Sequence, residues 1–88
     1  MTYYSISKVV DRQTGLDRTG KEIEDRMDRV ITNSIEFLGR YILSCAYDNG
    51  DVAPSILTSE IVEHMEKDDN GVVTFVTENS HYTLTPID

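Results

Sequence analysis

Three reversal signals cut the second half of this chain into runs too short for most structures other than β-strands. Asp48-Asn49-Gly50-Asp51, Lys67-Asp68-Asp69-Asn70-Gly71 and Glu78-Asn79-Ser80 combine side chains that bond their own backbone with residues that accept positive φ. Asn70-Gly71 is the dipeptide most favoured in a tight hairpin. Val72 to Thr77 follows it as a run rich in β-branched residues. His81 to Thr85 then alternates, with Tyr82 and Leu84 facing inward. Pro86 is expected to end that strand, because it has no N–H for the ladder. Upstream, Pro54-Ser55 opens a further apolar run from Ile56 to Val62.

The first half is less uniform. Tyr3 to Val10 reads as a strand with Tyr4, Ile6 and Val10 on one face and Ser5 and Ser7 on the other. Lys8 interrupts the apolar side, as suits an edge, and Asp11 to Gly15 forms a turn. The period then changes. Ile23, Met27, Val30 and Ile31 fall on one helical face, and Thr19 with Glu22 makes a capping box. These features predict a helix over residues 20–31, ended by Thr32-Asn33-Ser34. Ile35, Leu38 and Ile42 could prolong its stripe, whereas Phe37, Gly39, Tyr41, Leu43 and Cys45 share one face of a strand. The β-rich content and the glycine favour the strand. The expected fold is one domain over residues 1–88, α+β but mainly β. It is an antiparallel sheet or SH3-like barrel of four to five strands with one helix near the N-terminus.

Size and charge limit what such a domain can do. The chain has 88 residues, 39% of them hydrophobic, and no tryptophan, so its core is modest. Small cores gain from self-association, and a homodimer is a reasonable expectation. Residues 1–44 contain seven acids and seven bases. Residues 45–88 contain nine acids and only Lys67, which accounts for the net charge of −8. A folded acidic face attracts basic proteins and repels nucleic acid and anionic membrane. Neither a membrane-span-length apolar stretch nor a signal-peptide pattern is present, so the expected location is cytoplasmic.

No catalytic signature stands out, and the chain is expected not to be an enzyme. Cys45 lies in an apolar run with Asp48 and Asp51 downstream, which would raise rather than lower a thiol pKa. His64 and His81 lack zinc-ligand spacing, and His64 fits a solvated strand face. Ser59 and Ser80 have no nucleophile elbow around them, and Ser80 is better used in bonding its turn. The acidic turns lack the spacing and distal glutamate of a calcium loop. Gly15 and Gly20 do not form a phosphate cradle. No cofactor and no metal are expected.

The surplus carboxylates remain as candidates. Glu60, Glu63 and Glu66 lie along or beside one strand, Asp68 and Asp69 at its hairpin tip, Glu78 at the next turn, and Asp48 and Asp51 at the preceding one. They could simply solubilise a small protein. They could also imitate a row of phosphates, since Arg and Lys bind both. Leu57-Thr58-Ser59, Val62 and the run Thr77-Glu78-Asn79-Ser80-His81-Tyr82-Thr83-Leu84 carry a resemblance over about half the chain, from Gly39 to Leu84. The segment resembles small accessory proteins of phages and mobile elements in Gram-positive bacteria. Their genomic neighbourhoods also hold anti-CRISPR proteins and other host-defence inhibitors.

The resemblance implies a compact β-rich barrel. Together with the charge, it suggests a phage-type inhibitor in the host cytoplasm. Its acidic surface would bind the basic surface of a host nucleic-acid-binding protein, such as an RNA-guided nuclease. The alternative is a homo-oligomeric adaptor or structural accessory protein that uses apolar strand edges, with Tyr3, Tyr4 and Val10 as contacts. A small enzyme or ligand-binding protein ranks third, since its pocket would have to form between subunits.

Overall fold

The computed structural model describes residues 3–18, 29–47 and 49–87. Six antiparallel strands follow one another around a closed barrel: β1 (Tyr3–Asp11), β2 (Arg29–Phe37), β3 (Arg40–Tyr47), β4 (Val52–Lys67), β5 (Val73–Thr77) and β6 (Ser80–Ile87). β6 returns to β1 over a long ladder, from Tyr3↔Ile87 to Asp11↔Ser80. β1 meets β2 only at Tyr4↔Ile31, so this is the weak seam of the barrel. Closure leaves few free sheet edges.

The expected mainly-β class holds, with six strands in place of four to five. Among the described residues there is no helix. Arg29, Val30 and Ile31, the end of the expected helix, are the first residues of β2. The rest of that range lies outside the described residues. Val30 and Ile31 are β-branched, and pairing with Ala46 and Cys45 of β3 satisfies both their backbone and their shape.

The interior is a single cluster that includes Val9, Ile31, Leu43, Ile56 and Leu84 around an aromatic stack. Tyr41 meets Phe75 edge-on at 4.9 Å between ring centroids, and Phe75 stacks on Tyr82 at 4.8 Å. The inward alternation of Tyr41, Leu43 and Cys45, and of Tyr82 and Leu84, is as expected. Cys45 is buried, and its thiol donates to the Leu43 carbonyl at 3.4 Å.

Four local expectations are corrected. In β1 the ladder shifts between Ile6 and Lys8, which turns Val9 inward (0% exposed) and leaves Val10 only half-buried. Gly39 is not inside a strand. Leu38 and Gly39, at φ 52° and 75°, form the two-residue loop joining β2 to β3. Pro86 does not end β6, since it pairs with Tyr4 and the strand runs on to Ile87. Asn70 and Asn79 do not use left-handed angles, because Leu38 is the only described non-glycine residue with positive φ. Gly71, at φ 82°, supplies that conformation after a turn closed by a Gly71 N–H bond to the Asp68 carbonyl.

β4 shapes the molecule. Its first part pairs with β3 as far as Arg40↔Glu60, and its second part pairs with β5 from Ile61↔Thr77 onward. The switch is fixed on both sides: Ile61 N–H donates to the Gly39 carbonyl at 2.7 Å, and Glu78 N–H donates to the Glu60 carbonyl at 2.9 Å. Each of its two ladders contains two register shifts. The inward residues are therefore Ala53, Ile56, Thr58, Ile61 and Met65, spaced by more than two residues at each bulge. Buried hydroxyls serve the backbone there. Thr58 Oγ1 accepts from Tyr41 N–H at 3.0 Å, and the Tyr41 hydroxyl accepts from Met65 N–H at 2.9 Å.

Candidate partner-binding surface

The bend in β4 decides which carboxylates lie together. Glu63 and Glu66 follow the bend and border a shallow groove of about 290 Å³ on the outer face of β4, β5 and β6. His64, Thr74, His81 and Thr83 complete its rim. The strand then runs into the β4–β5 turn, which carries Asp68 and Asp69. Glu63, Glu66, Asp68 and Asp69 thus make an exposed ridge along the end of β4 and its turn, interrupted by Lys67.

The other candidates lie elsewhere. Glu60 sits at the bend itself, opposite Arg40 of β3. Glu78 is in the β5–β6 turn, where the Arg12 guanidinium donates to its carbonyl at 3.4 Å. Asp51 is in the β3–β4 turn, at the opposite end of β4 from Asp68 and Asp69. Asp48 lies outside the described residues. The eight candidates are therefore divided, and four of them share the end of β4 and its turn.

Not every member of the ridge is free to serve a partner. Asp68 builds its own turn, its Oδ1 accepting from Asn70 N–H at 2.8 Å and from Val72 N–H at 3.0 Å. Glu63, Glu66 and Asp69 make no such bonds. Among the described residues none of the four is in an ion pair. Sequence reasoning missed Glu36 of β2, which counts among the balanced charges of the first half. It faces His64, with Oε1 3.0 Å from Nε2, and so extends the acidic surface from β4 onto β2. Strand periodicity alone gives no sign of this approach, because it depends on how β4 bends.

A second concavity lies beside the ridge. At the β1–β2 seam a cleft of about 420 Å³ opens, with Ile31, Val73 and Leu84 as its floor and Tyr4, Ser34 and Met65 as its walls. Glu66 and Lys67 stand at its lip. Ser34 Oγ contacts the Met65 sulfur at 3.7 Å, a weak bond for a hydroxyl.

Among the described residues, no group of three or more His, Cys, Asp or Glu side chains is placed to hold a metal ion. No helix among them is long and apolar enough to cross a membrane. Tyr3, Tyr4 and Val10, the contacts of the adaptor reading, belong to β1, which is paired with β6 along its length. Tyr4 is half-buried against the core. Compared with known proteins, the chain matches no family model, no curated protein and no solved structure.

Proposed function

We propose that this barrel is a non-catalytic, phage-type inhibitor that docks its acidic ridge on the basic surface of a nucleic-acid-handling protein and occupies it. One observation carries the reading: Glu63, Glu66 and Asp69, with Asp68 beside them, are exposed and outside any ion pair along the end of β4 and its turn. A preorganised carboxylate row presents Arg and Lys with the oxygens a phosphate backbone would offer, without the entropy loss of ordering a tail. From Glu63 to Glu66 the strand advances roughly 10 Å. The ridge therefore replaces only a few phosphates, and the rest of the affinity has to come from the groove and cleft flanking it.

Recognition of this kind weakens with salt, because rim charges are screened within about 10 Å at 0.1 M. The deciding variant is Glu63→Lys with Glu66→Lys and Asp69→Lys, sparing the turn-building Asp68. A tagged parent chain is expected to retain a basic nucleic-acid-binding protein from lysate at low salt and release it at high salt. The triple variant, folded by circular dichroism, is expected to retain none. Equal capture by parent and variant overturns the reading.

A further inference from the structure

Among the described residues Thr58, Thr77 and Ser80 are polar and buried, at 2%, 0% and 2% exposure. The first two are committed. Thr58 Oγ1 serves the Tyr41 N–H and the Ser59 carbonyl, and Thr77 Oγ1 donates to the Ser80 carbonyl at 3.4 Å. The Ser80 hydroxyl, expected from the sequence to bond its turn, bonds nothing among the described residues. A buried hydroxyl without a partner is costly, so its presence calls for a reason. The alternation of β6 sets Ser80 on the inward face with Tyr82 and Leu84. There it borders a polar hollow of about 280 Å³ at the β5–β6 turn.

The other walls of the hollow are polar too. Ser59 of β4 and Asn79 of the turn line it, and neither side chain is hydrogen-bonded among the described residues. Arg18 lines it from the segment after β1, which folds back through an Arg18 N–H bond to the Val9 carbonyl at 2.7 Å. Its guanidinium pairs with Asp11 at 3.2 Å, and a fork of five donors can hold a further oxyanion beside that carboxylate. No acid is among the lining residues described, although Glu60 and Glu78 adjoin Ser59 and Asn79 in sequence.

We propose that this hollow binds a phosphate group, free or carried on a small molecule. A guanidinium, two hydroxyls and a carboxamide can all donate, and an ionised phosphate oxygen only accepts. The donors reach the hollow from β4, from the β5–β6 turn and from beyond β1. A tetrahedral oxyanion meets donors arriving from several directions better than a planar carboxylate does. The volume lies at the small end of ligand sites, which suits a small molecule rather than a polymer segment. Asp68 and Asp69 are at the other end of β5, so the site stands apart from the acidic ridge and does not depend on it.

Amide-resolved NMR titration of the intact chain with inorganic phosphate, ribose 5-phosphate and acetate, all at one ionic strength, tests it. Both phosphates are expected to give saturable shifts at Ser59, Asn79 and Ser80, and acetate to bind more weakly. Tighter binding of ribose 5-phosphate identifies an ester as the ligand and equal binding identifies free phosphate, and either result upholds the site. Ser80→Ala is expected to weaken phosphate binding about tenfold, the loss of one hydrogen bond to a charged group. It is also expected to melt no lower than the parent, because the hydroxyl it removes holds nothing in the fold. Arg18→Lys keeps the charge but loses the fork, and is expected to weaken binding as well. Shifts that do not saturate, acetate bound as tightly as phosphate, or a Ser80→Ala variant that binds like the parent overturn the proposal. So does a Ser80→Ala variant that melts lower, since the hydroxyl then serves the fold.

Discussion

Thr58 is a polar residue in the core of a small barrel, and its hydroxyl explains it. Oγ1 accepts from Tyr41 N–H and donates to the Ser59 carbonyl at 2.9 Å, satisfying backbone groups that the β4 bulge removes from the ladder. Thr58→Val keeps the shape and strands a buried N–H, which costs about 1–3 kcal/mol in urea denaturation; Thr58→Ser is expected to lose less. Asp11 works at a turn instead. Its carboxylate accepts from the N–H groups of Thr14 and Gln13, both at 2.9 Å, and pairs with Arg18 at 3.2 Å. These partners, the Thr14 N–H above all, hold its pKa below the ordinary value. A lowered folded pKa means stabilisation that is complete above the unfolded pKa and lost as pH falls through the folded one. The parent is therefore expected to be more stable than Asp11→Asn at pH 6, and the two should converge as the solution is acidified below about pH 4. A constant difference across that range would remove Asp11 from the acid limb.

Among the elements, the β2–β3 loop breaks the rules its neighbours follow. Leu38 adopts φ 52° and is 82% exposed, in a loop that normally takes Asn, Asp or Gly. Left-handed backbone in an L-residue with a full side chain costs about 1–2 kcal/mol. Leu38→Gly recovers part of that, and Leu38→Asn is expected to raise stability by up to about 1 kcal/mol in the same denaturation assay. This loop also shows where the sequence was legible and where it was not. The turns at Asp11–Gly15, Asn49–Asp51 and Asp68–Gly71 announce themselves, because their residues bond their own backbone. Leu38 sends no such signal, so Phe37 at the end of β2 and the residues of β3 read as one run with Gly39 inside it. Tyr82 and Leu84 are placed correctly because β6 pairs with β5 without a register shift. In β4 each bulge resets the alternation, and Leu57 and Val62, apolar yet exposed, cannot be told from core by period alone. The exposure of the acids was readable, but their grouping was not. The bend at Glu60 separates Asp51 from Asp69, and no local pattern encodes it.

At the scale of the whole molecule the charge acts against the fold. The chain has 16 acids and 8 bases, and within the described residues the Arg18–Asp11 ion pair and the His64–Glu36 contact leave the ridge unneutralised. Net charge this far from zero destabilises a compact state by self-repulsion, and salt screens that repulsion. The melting temperature of the parent is therefore expected to rise by several degrees between about 10 mM and 300 mM NaCl. Glu63→Lys, Glu66→Lys and Asp69→Lys together move the charge from −8 to −2, since each reversal adds two units. If the ridge exists for a partner, the triple variant melts higher than the parent at low salt, the gap narrows as salt is added, and the variant no longer holds a basic protein. A surface group retained for binding at the expense of stability shows this opposition, whereas carboxylates that only solubilise the chain have no binding to lose. Thermal melts at two salt concentrations, run beside the capture assay on the same protein, read both signs at once. A variant that melts no higher than the parent at low salt would show that the ridge charges do not strain the barrel.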